Sequence, residues 1–252
     1  MNKKLLVTLG TFAVVGVGCT TAATHAATSV AAHAAVTPAV VAAYATTPPA
    51  PTTAAGYAHA FATLPTGQWG AADVALTVPL STRGLVRTVW LFGDTLSTSR
   101  FVHSTAIIQT GGRFYVSHQG AQLLPNDDAS HIYWILSGRL ASAGSLLVTA
   151  RSIHLTGTGA WAFADDGFSR TALVHVGTDL TFVRWVSRVY GPMPDQGPLY
   201  AYGPHHFGYS RHVHHELKLT GGQVLVTTCQ NWDDGVLHPF AAYRPIFTSI
   251  QL

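Results

Sequence analysis

The sequence predicts an all-β fold, a sandwich or a propeller. Three features carry that reading. Short runs rich in valine, isoleucine, threonine and aromatic residues recur from Ala72 to the end of the chain. Glycine pairs, Gly111-Gly112 and Gly221-Gly222, fall between neighbouring runs, where hairpin turns favour them. No stretch carries convincing helical periodicity.

Ahead of the first strand, Asn2-Lys3-Lys4 is basic and Leu5 to Gly18 is an apolar stretch of 14 residues. That is too short to span a bilayer comfortably and suits a secretory signal, so residues 1–34 are expected to be a signal peptide and processing region. Cleavage in the alanine-rich stretch ending near Ala27 or Ala34 competes with a lipoprotein-like box, Gly16-Val17-Gly18-Cys19, in which Cys19 would carry a lipid anchor. Gly16 departs from the usual leucine there. Residues 35–56 read as a disordered Ala/Thr/Pro spacer, including Pro48-Pro49-Ala50-Pro51, because such a segment buries too little apolar area to offset its ordering entropy. The body, 57–252, is long enough for one sizeable core and short for two. The chain's 14 basic and 11 acidic side chains become 12 against 11 once Lys3 and Lys4 are removed. No basic run interleaves with aromatics, so nothing points to nucleic acid. Cys229 is expected to be unpaired and buried.

The strands follow in order. Ala72 to Leu80 alternates, with Val74, Leu76, Val78 and Leu80 on one face and Asp73, Ala75 and Thr77 on the other. Val86 to Phe92 contains Val89-Trp90-Leu91-Phe92, an apolar run suited to burial on both faces, and stops at Gly93-Asp94. Ser104 to Thr110 and Arg113 to His118 flank the first glycine pair. His131 to Leu136, Ser145 to Ser152, Thr171 to Val176, Phe182 to Val186 and Leu199 to Tyr202 come next. Glu216 to Leu219 and Gln223 to Cys229 flank the second pair, and Phe247 to Leu252 closes the chain. At roughly 40 to 45 residues per four-stranded blade, the body would hold four to five lean blades.

The first two strands define the leading candidate site. A hairpin centred between Arg83 and Gly84 sets Leu76 opposite Leu91, Val78 opposite Val89 and Asp73 opposite Asp94. Like charges facing one another across strands are destabilising, and a fold has no need of such a pair. Adjacent carboxyls also separate their pKa values, so that one stays protonated beside an ionised neighbour. The plainer reading makes Asp94 a turn cap and Asp73 a solvated strand-start residue.

Ala71-Ala72-Asp73-Val74-Ala75-Leu76-Thr77-Val78-Pro79-Leu80 followed by Trp90-Leu91-Phe92-Gly93-Asp94-Thr95 resembles the opening of secreted actinobacterial five-bladed β-propeller proteins related to glycoside hydrolases, among them the domain of unknown function 4185 and some endo-D-arabinanases. Val102-His103-Ser104-Thr105-Ala106, His215-Glu216-Leu217 before Gly221-Gly222, and Tyr243-Arg244-Pro245-Ile246-Phe247 resemble later motifs of that family in the same order. The resemblance implies a five-bladed propeller, complete or short of a blade, acting on a cell-envelope or environmental polysaccharide, with an arabinan-type furanoside the sharpest expectation. It implies Asp73 as base or nucleophile, Asp94 as acid or positioning carboxylate, and Glu216, the only glutamate in the chain, as a third carboxylate. His103, His215, Arg244 and Trp134 are expected to contact substrate, Arg244 by clamping a carboxylate. One departure stands out. A tryptophan-proline-glycine-aspartate strand of the family is here Tyr133-Trp134-Ile135-Leu136-Ser137-Gly138, without the acid. A non-catalytic glycan- or protein-binding envelope protein is the alternative reading.

Along an extended strand His212, His214 and Glu216 share a face, and two histidines with a carboxylate can ligate zinc. A hydrogen-bonded polar rim is preferred, and no metal or cofactor is expected. The acidic doublets Asp127-Asp128, Asp165-Asp166-Gly167 and Asp233-Asp234-Gly235 read as solvated turns rather than calcium loops. The protein is expected to be a monomer with no membrane span.

Overall fold

The computed structural model describes residues 47–80, 87–142, 144–156, 163–193, 200–232, 238 and 240–251. The expected signal region with Cys19, most of the spacer, the Ser81 to Gly84 turn, Trp161 and Asp233-Asp234-Gly235 lie outside them.

The all-β expectation holds, with one α-helix among the described residues that the sequence pattern did not indicate. Helix α1 (Ala54–Ala62) starts inside the stretch read as spacer. Thr53 caps it, its hydroxyl accepting from the Gly56 amide at 3.0 Å. Tyr57 and Phe61, four residues apart and so on one face, are both buried. Phe61 lies 5.0 Å from the rings of both Trp90 and Phe247, and its neighbours include Trp69, Phe92 and Phe114. Two aromatic positions in an alanine-rich background give almost no periodic signal, yet they anchor a core. The segment before the helix is also tied down, Pro48 accepting from the Gly112 amide at 2.7 Å and Thr52 from the Thr220 amide at 2.8 Å.

Among the described residues fifteen strands follow. β1 (Ala71–Ala72), β2 (Leu76–Pro79), β3 (Arg87–Phe92), β4 (Thr95–Leu96), β5 (Phe101–Val102), β6 (Thr105–Thr110) and β7 (Arg113–Val116) build two antiparallel sheets, β2-β3-β6-β7 and β1-β4-β5. β8 (His131–Ser142), β9 (Ser145–Leu155), β10 (Phe163–Val176) and β11 (Leu180–Tyr190) form a second four-stranded sheet. β12 (Tyr200–Gly203), β13 (His206–Lys218), β14 (Gln223–Trp232) and β15 (Ile246–Gln251) form a third. Strands in these last two pair strictly in chain order.

The first hairpin has the expected register, Leu76 against Leu91 and Val78 against Val89. β3 is buried on both faces as its sequence requires. Val89 and Leu91 pack with Val78, Ile108, Tyr133, Ile135 and Val148 towards the second sheet, whereas Trp90 and Phe92 pack with α1, Leu217 and Leu225 of the third. Gly138 marks the close approach of β8, since a Cβ there would overlap Leu91 and sit 2.8 Å from Val78 Cγ2.

Several strands run further than their apolar cores. β10 begins at Phe163 and carries Asp165 and Asp166, so that doublet lies within a strand rather than in a solvated turn. Partners explain it. The buried Arg151 guanidinium donates to both Asp165 oxygens, Nε at 2.5 Å and Nη2 at 2.6 Å, and Ser152 donates to Asp166 at 2.6 Å. Asp127 is likewise engaged, accepting from Tyr133 and Arg170. Cys229 is free and buried, as expected. Among the described residues no helix is long and apolar enough to cross a membrane.

Candidate functional site

The two sheets of the first seven strands are one sheet with a crease. Ala72 pairs with Thr95 in the same offset as Leu76 with Leu91, and Thr95 with Val102 in the same offset as Phe92 with Thr105. Between these paired stretches lie Asp73, Asp94 and His103, which therefore face one another in a row across three strands. The ladder breaks because Val74 and Ala75 take φ of 71° and 50°, a region that a β-branched residue avoids. Backbone strain of this kind is held only where surrounding contacts impose it, and it clusters at functional sites.

Asp73 is clamped from β13 and from the 3-10 turn Phe240–Tyr243 that precedes β15. Tyr209 and Tyr243 each donate to its Oδ2 at 3.1 Å. Its Oδ1 is sealed from solvent, has no hydrogen-bond partner among the described residues and lies over Gly93, where a Cβ would overlap it. Burial, and then the neighbouring Asp94 charge, push the Asp73 carboxyl up to about 8, against the downward pull of both tyrosines. Burial and that charge both favour the protonated carboxyl.

Asp94 is served from two other directions. Its Oδ1 receives the Trp134 indole N–H at 3.0 Å from β8 and faces His103 Nδ1 at 2.9 Å. The Asp94 side chain is 20 % exposed and that of His103 13 %. The row thus collects one hydrogen-bonding arm from the second sheet, one from the third and one from the turn before β15.

No family model, curated protein or solved structure matches this chain.

Of the expected site residues, the crease brings together Asp73, Asp94, His103 and Trp134. Arg244 lies close by, but its Nε donates to the Gly70 carbonyl at 2.7 Å, so it braces β1 rather than clamping either aspartate. Glu216 belongs to a different cluster. It accepts from the Thr77 hydroxyl, and Thr77 is also 2.6 Å from His214 Nδ1, with Thr227 2.8 Å from His214 Nε2. Burial acts to raise the Glu216 carboxyl, but hydrogen bonds with His214 and Thr77 outweigh it and hold the group below its ordinary value. His215 is exposed on the opposite face of β13.

His212, His214 and Glu216 share a face as the alternation predicted. Both nitrogens of His214 are occupied by threonine hydroxyls, which is the polar-rim arrangement. His212 is pushed down to about 4, by burial and then by His214. Sequence reasoning missed Tyr209 and Tyr243. Tyr243 stood in the motif that drew attention to Arg244, whereas nothing around Tyr209 distinguishes it.

Proposed function

We propose that this is an exported glycoside hydrolase of the five-bladed β-propeller type, acting on a polysaccharide through Asp94 and Asp73. The propeller reading is supported by sheets of four antiparallel strands, two of them in strict chain order, packed against the first sheet; each such sheet is the size of one blade. The motif resemblance extends that reading to five blades and makes an arabinan-type furanoside the first substrate to try.

One observation carries the catalytic reading: two aspartates occupy facing strand positions at a strained crease, and burial with the neighbouring charge favours the protonated form of one of them. Acid–base glycoside hydrolysis requires such a division of protonation. The resemblance implied Asp73 as base or nucleophile and Asp94 as acid or positioning carboxylate. The environments favour the reverse, with Asp73 the proton holder and Asp94, hydrogen-bonded and partly exposed, the base or nucleophile. Trp134 and His103 hold Asp94 in position.

The seal over Asp73 Oδ1 favours a second reading, a glycan- or protein-binding domain in which the pair serves as a structural hub. Release of reducing sugar from arabinans and galactans separates the two. Under the hydrolase reading Asp94→Asn abolishes release, and the parent's rate falls as pH rises through about 8, where Asp73 loses its proton. Binding without turnover, unchanged in Asp94→Asn, supports the second reading and overturns the first.

A further inference from the structure

We propose that the second sheet carries a zinc site formed by His131, His154 and Asp166, distinct from the aspartate row. The three each present one ligand atom, and these atoms lie within 4.8 Å of one another.

Strand pairing builds the cluster. His131 on β8 is directly opposite His154 on β9, and their rings stack with centroids 4.7 Å apart at 18°. Ala164 on β10 pairs with His154, and the ladder is interrupted after Asp165, where Asp166 reaches the Ser152 hydroxyl, two residues before His154 on β9. The Ser152 hydroxyl holds Asp166 by Oδ2, leaving Oδ1 for a ligand. Asp128 pairs with His131 Nδ1 at 2.8 Å, which leaves Nε2 as the nitrogen for a metal. Asp128 is itself fixed by the Ser130 amide and hydroxyl, both at 2.7 Å, and by the His131 amide at 2.9 Å. A carboxylate behind a ligating imidazole is the usual outer support of a zinc-bound histidine, setting its tautomer and raising its basicity.

Two imidazoles and one carboxylate suit zinc, and three protein ligands leave a fourth position open. Ligand atoms on a tetrahedral zinc sit about 3.3 Å apart, so binding draws the three half-exposed side chains inward. Calcium, which takes six to eight oxygens, does not fit the set.

The test is zinc titration of the untagged full chain by calorimetry, with chelator competition, on the parent and on His154→Ala, Asp166→Asn and Asp128→Asn. The proposal expects a single zinc per chain, at least tenfold weaker in His154→Ala and Asp166→Asn. It expects about tenfold weaker binding in Asp128→Asn, which removes no ligand. His59→Ala, an exposed histidine on α1, leaves affinity unchanged. Melting curves of the metal-free variants matching the parent establish that the fold is intact, and cobalt substitution supplies a second readout through its tetrahedral visible spectrum. Affinity equal in parent, His154→Ala and Asp166→Asn, or no stoichiometric zinc in the folded parent, overturns the proposal.

Discussion

At Asp73, burial and a neighbouring negative charge act in the same direction, and together they raise its carboxyl from 3.8 to about 8. Proton linkage turns this into a pH dependence of stability. The folded state holds the proton more tightly than the unfolded chain. The contribution is therefore fully present below about pH 4 and is lost as pH rises to about 8. Asp73→Asn keeps an oxygen for Tyr209 and Tyr243 and removes the titration. Urea midpoints should show the variant gaining on the parent between pH 4 and pH 8, by an amount on the order of a few kcal/mol at the upper end, and matching it below. Equal pH profiles for the two proteins would show that Asp73 ionises freely.

The crease shows which parts of an element a sequence displays. Alternation of Leu76, Val78, Val89 and Leu91 pins the hairpin register, since a slip of one residue would turn every apolar side chain to the wrong face. The opposition of Asp73 and Asp94 follows from that register. Positive φ at Val74 and Ala75 was not legible, because neither is a residue type that announces a left-handed turn. Nor were Tyr209 and Tyr243, which reach Asp73 from a strand and a turn more than a hundred residues away along the chain. Helix α1 was hidden by its alanine background, and the polar start of β10 by carboxylates whose partners, Arg151 and Ser152, lie on another strand. Gly93 is the element's most exposed weakness to substitution. A Cβ there would overlap Asp73 Oδ1 and come within 2.9 Å of Val74 Cγ2. Gly93→Ala should cost about 2 kcal/mol by thermal or chemical denaturation, the range for overpacking a tight site.

At the scale of the whole molecule, the first sheet is shared between two cores, one towards the second sheet and one towards α1 and the third. Phe61 is the plug of the latter core, touching aromatic residues from strands early and late in the chain. Phe61→Ala should lower stability by about 3 kcal/mol, read as a shifted denaturant midpoint. Because both cores meet on β3, near- and far-ultraviolet signals should move together, and separate transitions would mean the sheets unfold independently. Cys229 sits on β14 with its thiol enclosed, the one cysteine among the described residues, and burial holds that thiol well above its ordinary range. Alkylating reagents can reach this sulfur only when β14 parts from its neighbours. The chain therefore carries its own chemical clock, whose labelling rate counts the openings of the third sheet without any added probe.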